Sequence, residues 1–348
     1  MDFDFIIVGQ GIAGSLLTYE LIKAGKVVLV VDSKEDETCS HTGAGIMHPI
    51  TGRRMVKQWK ADTLIPYAKN KYRELESVTG NDFFYELPIL EIYTSVKNRN
   101  DWSGRSSEQG FESYLGAEVN AKTLQKYFYT DSGGILINGS GYVNMHELVN
   151  SLRTYIRMKN AYWQTSYFEE DADFEGGFVR WNGVMAEYII YCTGSNATDS
   201  MFFKDLPFLP AKGEILNIYS EELPQEFIVN REMYILPVGN HHFRVGATYE
   251  WDFINDVPTE YAKEKIESFL KKILKAAYQI TDHKAGIRPS TQDRRPFIGM
   301  HPQHPQIGIF SGLGTKGAML APYYAKQFAD FLLGETKIDD EVNVRRVF

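Results

Sequence analysis

Three glycines near the start of the chain have the spacing of a phosphate-binding turn. Gly9, Gly11 and Gly14 lie between a short apolar run and a segment with helical periodicity. Such a turn lets the backbone approach a pyrophosphate, and the N–H groups and dipole of the following helix attract the anion. A second apolar run ends in Asp32, at about the spacing of an acid that binds a ribose hydroxyl. The segment therefore predicts a dinucleotide site, and Ser33 in place of an arginine disfavours NADP relative to NAD and FAD.

Two segments near the end of the chain carry further residues that can bind anions. Arg288 lies in GIRPSTQDRRPFIG, and the planar fork of an arginine beside a cleft matches a substrate carboxylate. Lys316 lies in a second glycine loop, FSGLGTKGAMLAP, which leads into a helix that starts near Gly317. The lysine charge and the positive end of this helix would stabilise negative charge that develops during a reaction.

Other titratable residues have less specific patterns. His48 is a candidate catalytic base because an imidazole can accept and release a proton, although a structural or pocket-lining histidine explains the residue equally well. Arg53 and Arg54 would either add anion contacts or form part of the charged surface. The remaining histidines of interest show no ligand spacing, so we expect no metal site: His241, His242, His301 and His304.

The composition excludes several classes of protein. The chain has 348 residues and a formal net charge of −8, which disfavours a nucleic-acid partner. Its two cysteines, Cys39 and Cys192, are too few for a disulfide framework or a zinc site by themselves. The N-terminus is acidic where a signal peptide would be basic, and no apolar run has the roughly 20 residues of a membrane span. We therefore expect a cytoplasmic protein without a membrane segment.

The periodicity predicts an α/β framework, α+β overall. Helical patterns cover residues 12–24, 55–78, 145–159, 259–277 and 318–333, and strand patterns cover 5–8, 27–31, 83–95, 188–192, 233–238 and 242–248. We predict a discontinuous Rossmann-like nucleotide-binding domain from residues 1–82, 140–207 and 286–348. A substrate domain built on an antiparallel mixed sheet would comprise residues 83–139 and 208–285. A cleft between two such domains is a common place for a substrate pocket.

The order of the motifs resembles the D-amino-acid oxidase-like (DAO) family of FAD-dependent oxidoreductases. GQGIAG, SHTGAGI, GSGYVNMHELVNSL, IIYCTGS, RVGATYE, GIRPSTQDRRPFIG and GLGTKGAMLAP follow one another as they do in that family, from Asp4 to about Leu333. The chain looks like the glycine oxidase and sarcosine oxidase branch. Its GTKG loop is also similar to the FAD domain of a bacterial enzyme that modifies a tRNA wobble uridine. The resemblance implies FAD, which we expect to be noncovalent because no cysteine follows Cys192.

The resemblance also assigns residues to parts of the cofactor. Asp32 and Ser33 would hold the adenosine ribose, Cys39 and Ser40 would lie beside the pyrophosphate or ribityl chain, and Phe168 would meet the adenine through its backbone. Further residues are expected to contact the pyrophosphate or the flavin: Gly9, Gly11, Ile12, Ala13, Gly14, Ala44, Gly45, Ile46, Thr193, Gly194, Leu313, Gly314, Thr315, Lys316, Gly317, Ala318 and Met319.

The resemblance further implies the reaction. Arg288 matches the arginine that binds the substrate carboxylate, and Tyr234 stands where an aromatic pocket residue is expected. With Lys316 and His48, they complete the candidate catalytic set. A small amine or amino acid would pass a hydride to flavin N5, the imine would hydrolyse, and O2 would reoxidise the flavin to give H2O2. The alternatives are a tRNA-modifying amine oxidoreductase, an amino- or hydroxy-acid dehydrogenase with another electron acceptor, and a non-catalytic FAD-binding protein. The substrate, its stereochemistry and the oligomeric state stay open.

Overall fold

The computed structural model describes residues 1–33, 38–52, 54–106 and 108–348. The helices of these residues are α1 Ile12–Lys23, α2 Cys39–Thr42, α3 Ala61–Thr79, α4 Val96–Arg105, α5 Ala121–Leu124, α6 Met145–Met158, α7 Glu260–Ile273 and α8 Gly317–Leu332. Within this part of the chain, no helix combines the length and the apolarity of a transmembrane segment.

The strands are β1 Phe3–Val8, β2 Val28–Asp32, β3 Ile46–Met47, β4 Ile50–Thr51, β5 Val56–Lys57, β6 Phe84–Tyr85, β7 Ile89–Ile92, β8 Leu115–Val119, β9 Gly134–Ile137, β10 Gly141–Val143, β11 Tyr162–Gln164, β12 Ala172–Asp173, β13 Val179–Trp181, β14 Val184–Tyr191, β15 Ala211–Tyr219, β16 Ile228–Asn230, β17 Tyr234–Gly239, β18 His242–Gly246, β19 Gln279–Arg288, β20 Phe297–Met300 and β21 Ile307–Ser311.

The first sheet brings the carboxyl ends of several strands to one edge. Its strands run in the order β11-β2-β1-β14-β13-β12, and β21 lies beside the second half of β14 with β20 as its outer neighbour. β11, β2, β1, β14 and β21 are parallel, so the loops that follow β1, β2, β14 and β21 meet at the same edge. Ligands of open α/β sheets bind outside this edge, and the predicted fold class is confirmed.

Strand β1 shows why the apolar runs are continuous. Phe5 and Ile7 face a core formed with α1, α3, α6 and α8, whereas Ile6 and Val8 face a second core on the other side of the sheet. All four side chains are at most 5% exposed. Parallel strands that are covered on both faces need apolar residues at every position, not at alternate ones.

The second sheet supplies the opposite wall of the site. Its order is β19-β15-β18-β17-β16-β7-β9-β8, and it is antiparallel except where β16 runs parallel to β7. Helix α7 packs against one face through Ile266 and Leu270. The other face carries Tyr234 and Leu236 and packs with Tyr142 of the small sheet β3-β10-β6. A mixed, mainly antiparallel sheet is what the sequence predicts.

Three predicted elements differ from the observed ones. The helix predicted at 55–78 starts at Ala61, because Gly52, at φ +79°, turns the preceding residues into the ribbon β4-β5. The strand predicted at 83–95 is two short strands, β6 and β7, with Pro88 between them, and proline supplies no N–H for a ladder. The helix predicted at 259–277 ends at Ile273, because Leu274 becomes extended and pairs with Phe128.

Candidate functional site

The first glycine turn is held tightly against strand β1 and helix α1. A Cβ on Gly14 would lie 1.9 Å from the carbonyl oxygen of Gly9, so only glycine lets the helix approach this closely. The Ile12 N–H, at the start of α1, donates to Ser40 Oγ at 3.1 Å. The turn and the loop after β2 are therefore joined at the helix end that carries positive potential.

Asp32 belongs to a buried network that the sequence did not indicate. Its Oδ1 accepts the Gln10 N–H at 2.9 Å, and its Oδ2 accepts the Tyr162 hydroxyl at 3.3 Å. Arg153 Nη2 lies 3.7 Å from the same Oδ2, and Arg153 Nε donates to Gln10 Oε1 at 2.6 Å. The arginine lies on α6, far from Asp32 in the chain, and no local pattern links the two. The network fixes the carboxylate next to the glycine turn.

A cavity of about 720 Å³ opens along the carboxyl edge of the first sheet and reaches the second sheet. This volume lies in the range of sites for cofactors and small ligands. The two glycine loops, the turn after β1 and the loop before α8, both line it. The Oγ1 of Thr193, another lining residue, is buried and has no hydrogen-bond partner among the described residues. A buried orphan hydroxyl is costly unless a ligand satisfies it, so the residues present fit an extended dinucleotide.

The cavity gathers nearly all of the predicted site residues. Arg288, Tyr234, Lys316 and His48 line it. So do the following residues predicted to contact the cofactor: Gly9, Gly11, Ile12, Ala13, Asp32, Ser33, Cys39, Ser40, Ala44, Gly45, Ile46, Thr193, Gly194, Leu313, Gly314, Thr315, Gly317, Ala318 and Met319. Gly14 does not line the cavity and acts through helix packing.

Arg288 lies flat on the second sheet and keeps a free donor. A Cβ on Gly213 would lie 2.0 Å from Nη2, 2.2 Å from Cζ and 2.3 Å from Nη1, so the guanidinium occupies the space that any side chain would fill. Nη2 donates to the Thr248 carbonyl at 3.2 Å, and the guanidinium lies 5.2 Å from the Tyr249 ring. Nη1 is buried without a partner among the described residues. A glycine inside a strand pattern is the one sequence signal for such a close approach.

The environment of Arg288 keeps its acidic neighbours protonated. Burial raises the pKa of Tyr234 to about 12, and the positive charges of Arg288 and Arg244 only partly oppose this. Burial also raises the pKa of the Cys39 thiol, again against the field of Arg288. Neither group forms an anion near neutral pH, so neither competes with a ligand for the arginine.

Lys316 stands at the start of α8 and beside two arginines. Burial lowers the pKa of its ammonium, and repulsion from Arg295 and Arg294 lowers it further. Among the described residues, no carboxylate forms an ion pair with it. Helix α8 begins at the next residue, Gly317, so a helix N-terminus and a lysine face the cavity together. This end of the cavity suits negative charge.

His48 lines the cavity, but both ring nitrogens are already engaged. Its Nδ1 accepts the Ile50 N–H at 3.3 Å, and its Nε2 lies 2.9 Å from Glu91 Oε1. The proton is therefore on Nε2 and donated to the carboxylate. No lone pair is left to remove a substrate proton, so the geometry disfavours His48 as a base.

Two further predicted residues, Phe168 and Arg54, do not line the cavity. Phe168 does not line the cavity and its side chain is 54% exposed, whereas Thr165, Ser166 and Tyr167 line it. Any adenine-side contact from this segment therefore shifts to residues 165–167. Arg54 is exposed and outside the lining, and Arg53 lies outside the described residues. Among the residues that are described, no group of three or more His, Cys, Asp or Glu side chains could hold a metal ion.

Comparison with known proteins shows what the chain is similar to. A family model described as FAD dependent oxidoreductase (DAO) matches residues 4–331. Glycine oxidase of Bacillus subtilis (strain 168) is 27% identical over 380 residues, which cover 99% of this chain and 97% of that protein. The crystal structure of glycine oxidase from Geobacillus kaustophilus has a TM-score of 0.81 at 20% identity and covers 97% of this chain and 96% of its own. A tRNA 5-methylaminomethyl-2-thiouridine biosynthesis bifunctional protein of Legionella pneumophila (strain Corby) is 24% identical over 85% of this chain, but over 45% of its own length.

Proposed function

Because the chain belongs to the DAO family of FAD-dependent oxidoreductases, we propose that it oxidises the C–N bond of a small amino acid or secondary amine. Its cofactor is FAD. The buried Nη1 of Arg288, which has no partner among the described residues, is the observation that carries the proposal. A guanidinium donor held in a cavity and left unsatisfied calls for a carboxylate.

The residues of the cavity have distinct tasks in this proposal. Arg288 holds the substrate carboxylate and so fixes the direction of the carbon that reacts. Tyr234 stays protonated and lines the pocket as an aromatic wall with a hydroxyl donor. Lys316 and the N-terminus of α8 stabilise negative charge at the other side of the cavity. When bound, FAD supplies the hydride acceptor at its N5 atom.

The overall reaction balances without a side-chain nucleophile. The amine loses a hydride and a proton and becomes an imine, which water cleaves to a carbonyl compound and ammonia for a primary amino acid, or an amine for a secondary amine. Dioxygen is the proposed final acceptor of the two electrons and, with two protons, becomes H2O2. Glycine oxidases among the relatives carry names that agree with this class of substrate.

The visible spectrum of the purified protein tests the proposal. We expect a flavin band that bleaches when one member of an anaerobic panel of glycine, sarcosine, proline and D-amino acids is added, and that returns in air. Bleaching without return in air would replace the oxidase by a dehydrogenase with another acceptor. A flavin that no amine bleaches would contradict amine oxidation and favour the tRNA-modifying or non-catalytic alternatives.

A further inference from the structure

A second polar cluster lies at the end of the cavity opposite Arg288. It consists of His48, Glu91 and Asn230, which come from three separate parts of the chain. Glu91 Oε1 accepts hydrogen bonds from His48 Nε2 at 2.9 Å and from Asn230 Nδ2 at 2.6 Å. His48 and Asn230 line the cavity, whereas Glu91, their shared hydrogen-bond partner, does not.

The carboxylate fixes which atom of Asn230 a ligand meets. Since a carboxylate only accepts hydrogen bonds, the amide nitrogen of Asn230 must point toward Glu91. The amide oxygen Oδ1 then remains, and no described residue donates a hydrogen bond to it. The cluster therefore offers an acceptor, not a donor, to the cavity.

The negative charge of Glu91, next to this acceptor, is not balanced by a lysine or an arginine of the described residues. The side chain of Glu91 is 14% exposed, and no lysine or arginine of the described residues pairs with it. A buried carboxylate without a permanent cation attracts a positive group more strongly than an exposed one. The cavity thus has an arginine at one end and a carboxylate without a lysine or arginine partner among the described residues at the other.

The sheet sets the distance between the two ends. Arg288 lies on Gly213 of β15, and Asn230 is on β16, with β18 and β17 between them. Asn230 is in register with Ile215, two residues along β15 from Gly213. Three strand spacings of about 4.8 Å and an offset of about 6.6 Å along the strand separate the backbones by roughly 16 Å. A hydrogen bond of about 2.9 Å at each end leaves roughly 10 Å for the ligand. Glycine and sarcosine are too short to span it, whereas an amino acid with a side chain about as long as that of lysine fits.

We infer that the substrate is an extended amino acid whose far end carries a cationic amine, bound by Asn230 Oδ1 with Glu91 behind it. The carboxylate of the same molecule is held by Arg288. The inference rests on the proposed function and shifts its substrate class from the smallest amines to long cationic amino acids, so glycine and sarcosine in the panel should not bleach the flavin. Asn230 is then a specificity-determining residue, and Glu91 is a positioning residue that acts through it.

A pair of unreactive ligands tests this inference independently of catalysis. 6-Aminohexanoate has a carboxylate and a terminal ammonium at the required separation, and heptanoate replaces that ammonium by a methyl group. Both are titrated into the FAD-bound protein and followed by the change in its visible spectrum. We expect 6-aminohexanoate to bind about 10-fold or more tightly than heptanoate, because hydrogen bonds to charged groups discriminate by this amount. Equal binding, tighter binding of heptanoate, or binding of neither would overturn the inference.

Single-residue variants test whether the cluster causes the preference for 6-aminohexanoate over heptanoate. Glu91→Gln and Asn230→Leu should each bring the ratio of the two dissociation constants close to one. Glu118→Gln removes an exposed carboxylate on β8 of the same sheet and should keep the wild-type ratio. If Glu91→Gln and Asn230→Leu both keep the wild-type ratio, the cluster does not bind the ammonium. This ratio compares two ligands on the same folded protein, so a loss of stability in a variant does not change it. The ratio measured for the wild type tests the inference even if a variant does not fold. Selective binding of 6-aminohexanoate to a protein that no amine reduces would refute the proposed function, and the cluster would then be a binding site for the ammonium of a ligand that is not oxidised.

Discussion

Replacing Gly213 by alanine probes the carboxylate site without removing any of its charged groups. The new Cβ would lie 2.0 to 2.3 Å from three atoms of the Arg288 guanidinium, whereas real Cβ contacts below 3.0 Å essentially never occur. The guanidinium must therefore move by about 1 Å or more, and a shift of that size at a binding group costs about 100-fold in catalysis. The backbone of Gly213 is not in the left-handed region, so alanine itself causes no strain there.

The magnitude follows from the ion pair that is lost. A hydrogen bond to a charged group contributes about 1.5 to 3 kcal/mol, which corresponds to roughly 10- to 100-fold in a dissociation constant. We expect Gly213→Ala to weaken acetate binding, read from the flavin spectrum, by this factor and to lower kcat/KM for the amine substrate at least as much. The melting temperature should change little, because the group that is displaced is the end of a flexible side chain.

Gly116→Ala is the matched control. It adds a methyl group to β8 of the same sheet, outside the cavity lining. It should leave acetate binding unchanged. If acetate binds Gly213→Ala within a factor of two of wild type while the protein remains folded, Arg288 is not the carboxylate-binding residue and the proposed orientation of the substrate is wrong.

Three other predictions concern the arginine and the fold around the site. Arg288→Lys keeps the charge but loses the planar fork that places Nη1 in the cavity, so KM for a carboxylate substrate should rise about 10-fold or more; an unchanged KM would contradict a role for the guanidinium geometry. Tyr72→Phe removes a buried hydroxyl that donates to the Ala318 carbonyl at 2.6 Å, and chemical denaturation should show a loss of about 1 kcal/mol. The pKa of Glu74 is lowered to about 2 because hydrogen bonds from two lysines and a tyrosine outweigh the burial that raises it. Its stabilisation is present above the unfolded pKa and is lost as the pH falls toward 2, so Glu74→Gln should flatten that part of the melting-temperature profile.

The glycine-rich side of the cavity could be predicted from the sequence because its signals are local. Gly9 and Gly14 specify a turn and a close helix approach, and Asp32 ends the next strand of the same unit. Parallel strands then carry the turns after β1, β2, β14 and β21 to one edge without further information. The Arg153 network could not be predicted, since α6 reaches Asp32 only through tertiary packing against α1 and β11.

The substrate half depends on register between distant strands, which no local motif encodes. Asn230 pairs with Glu91 in the parallel contact between β16 and β7, and it pairs with Tyr234 across β17. A slip of one residue in either pair would turn the side chain to the opposite face of the sheet. Tyr234 pairs in turn with Gly246, and the side chain of Ile215 on β15 packs beside this glycine and lines the cavity. The motifs shared with relatives thus indicate the cofactor and the reaction class, while the strand order β15-β18-β17-β16-β7 brings Asn230 and Glu91 into the same sheet as Gly213.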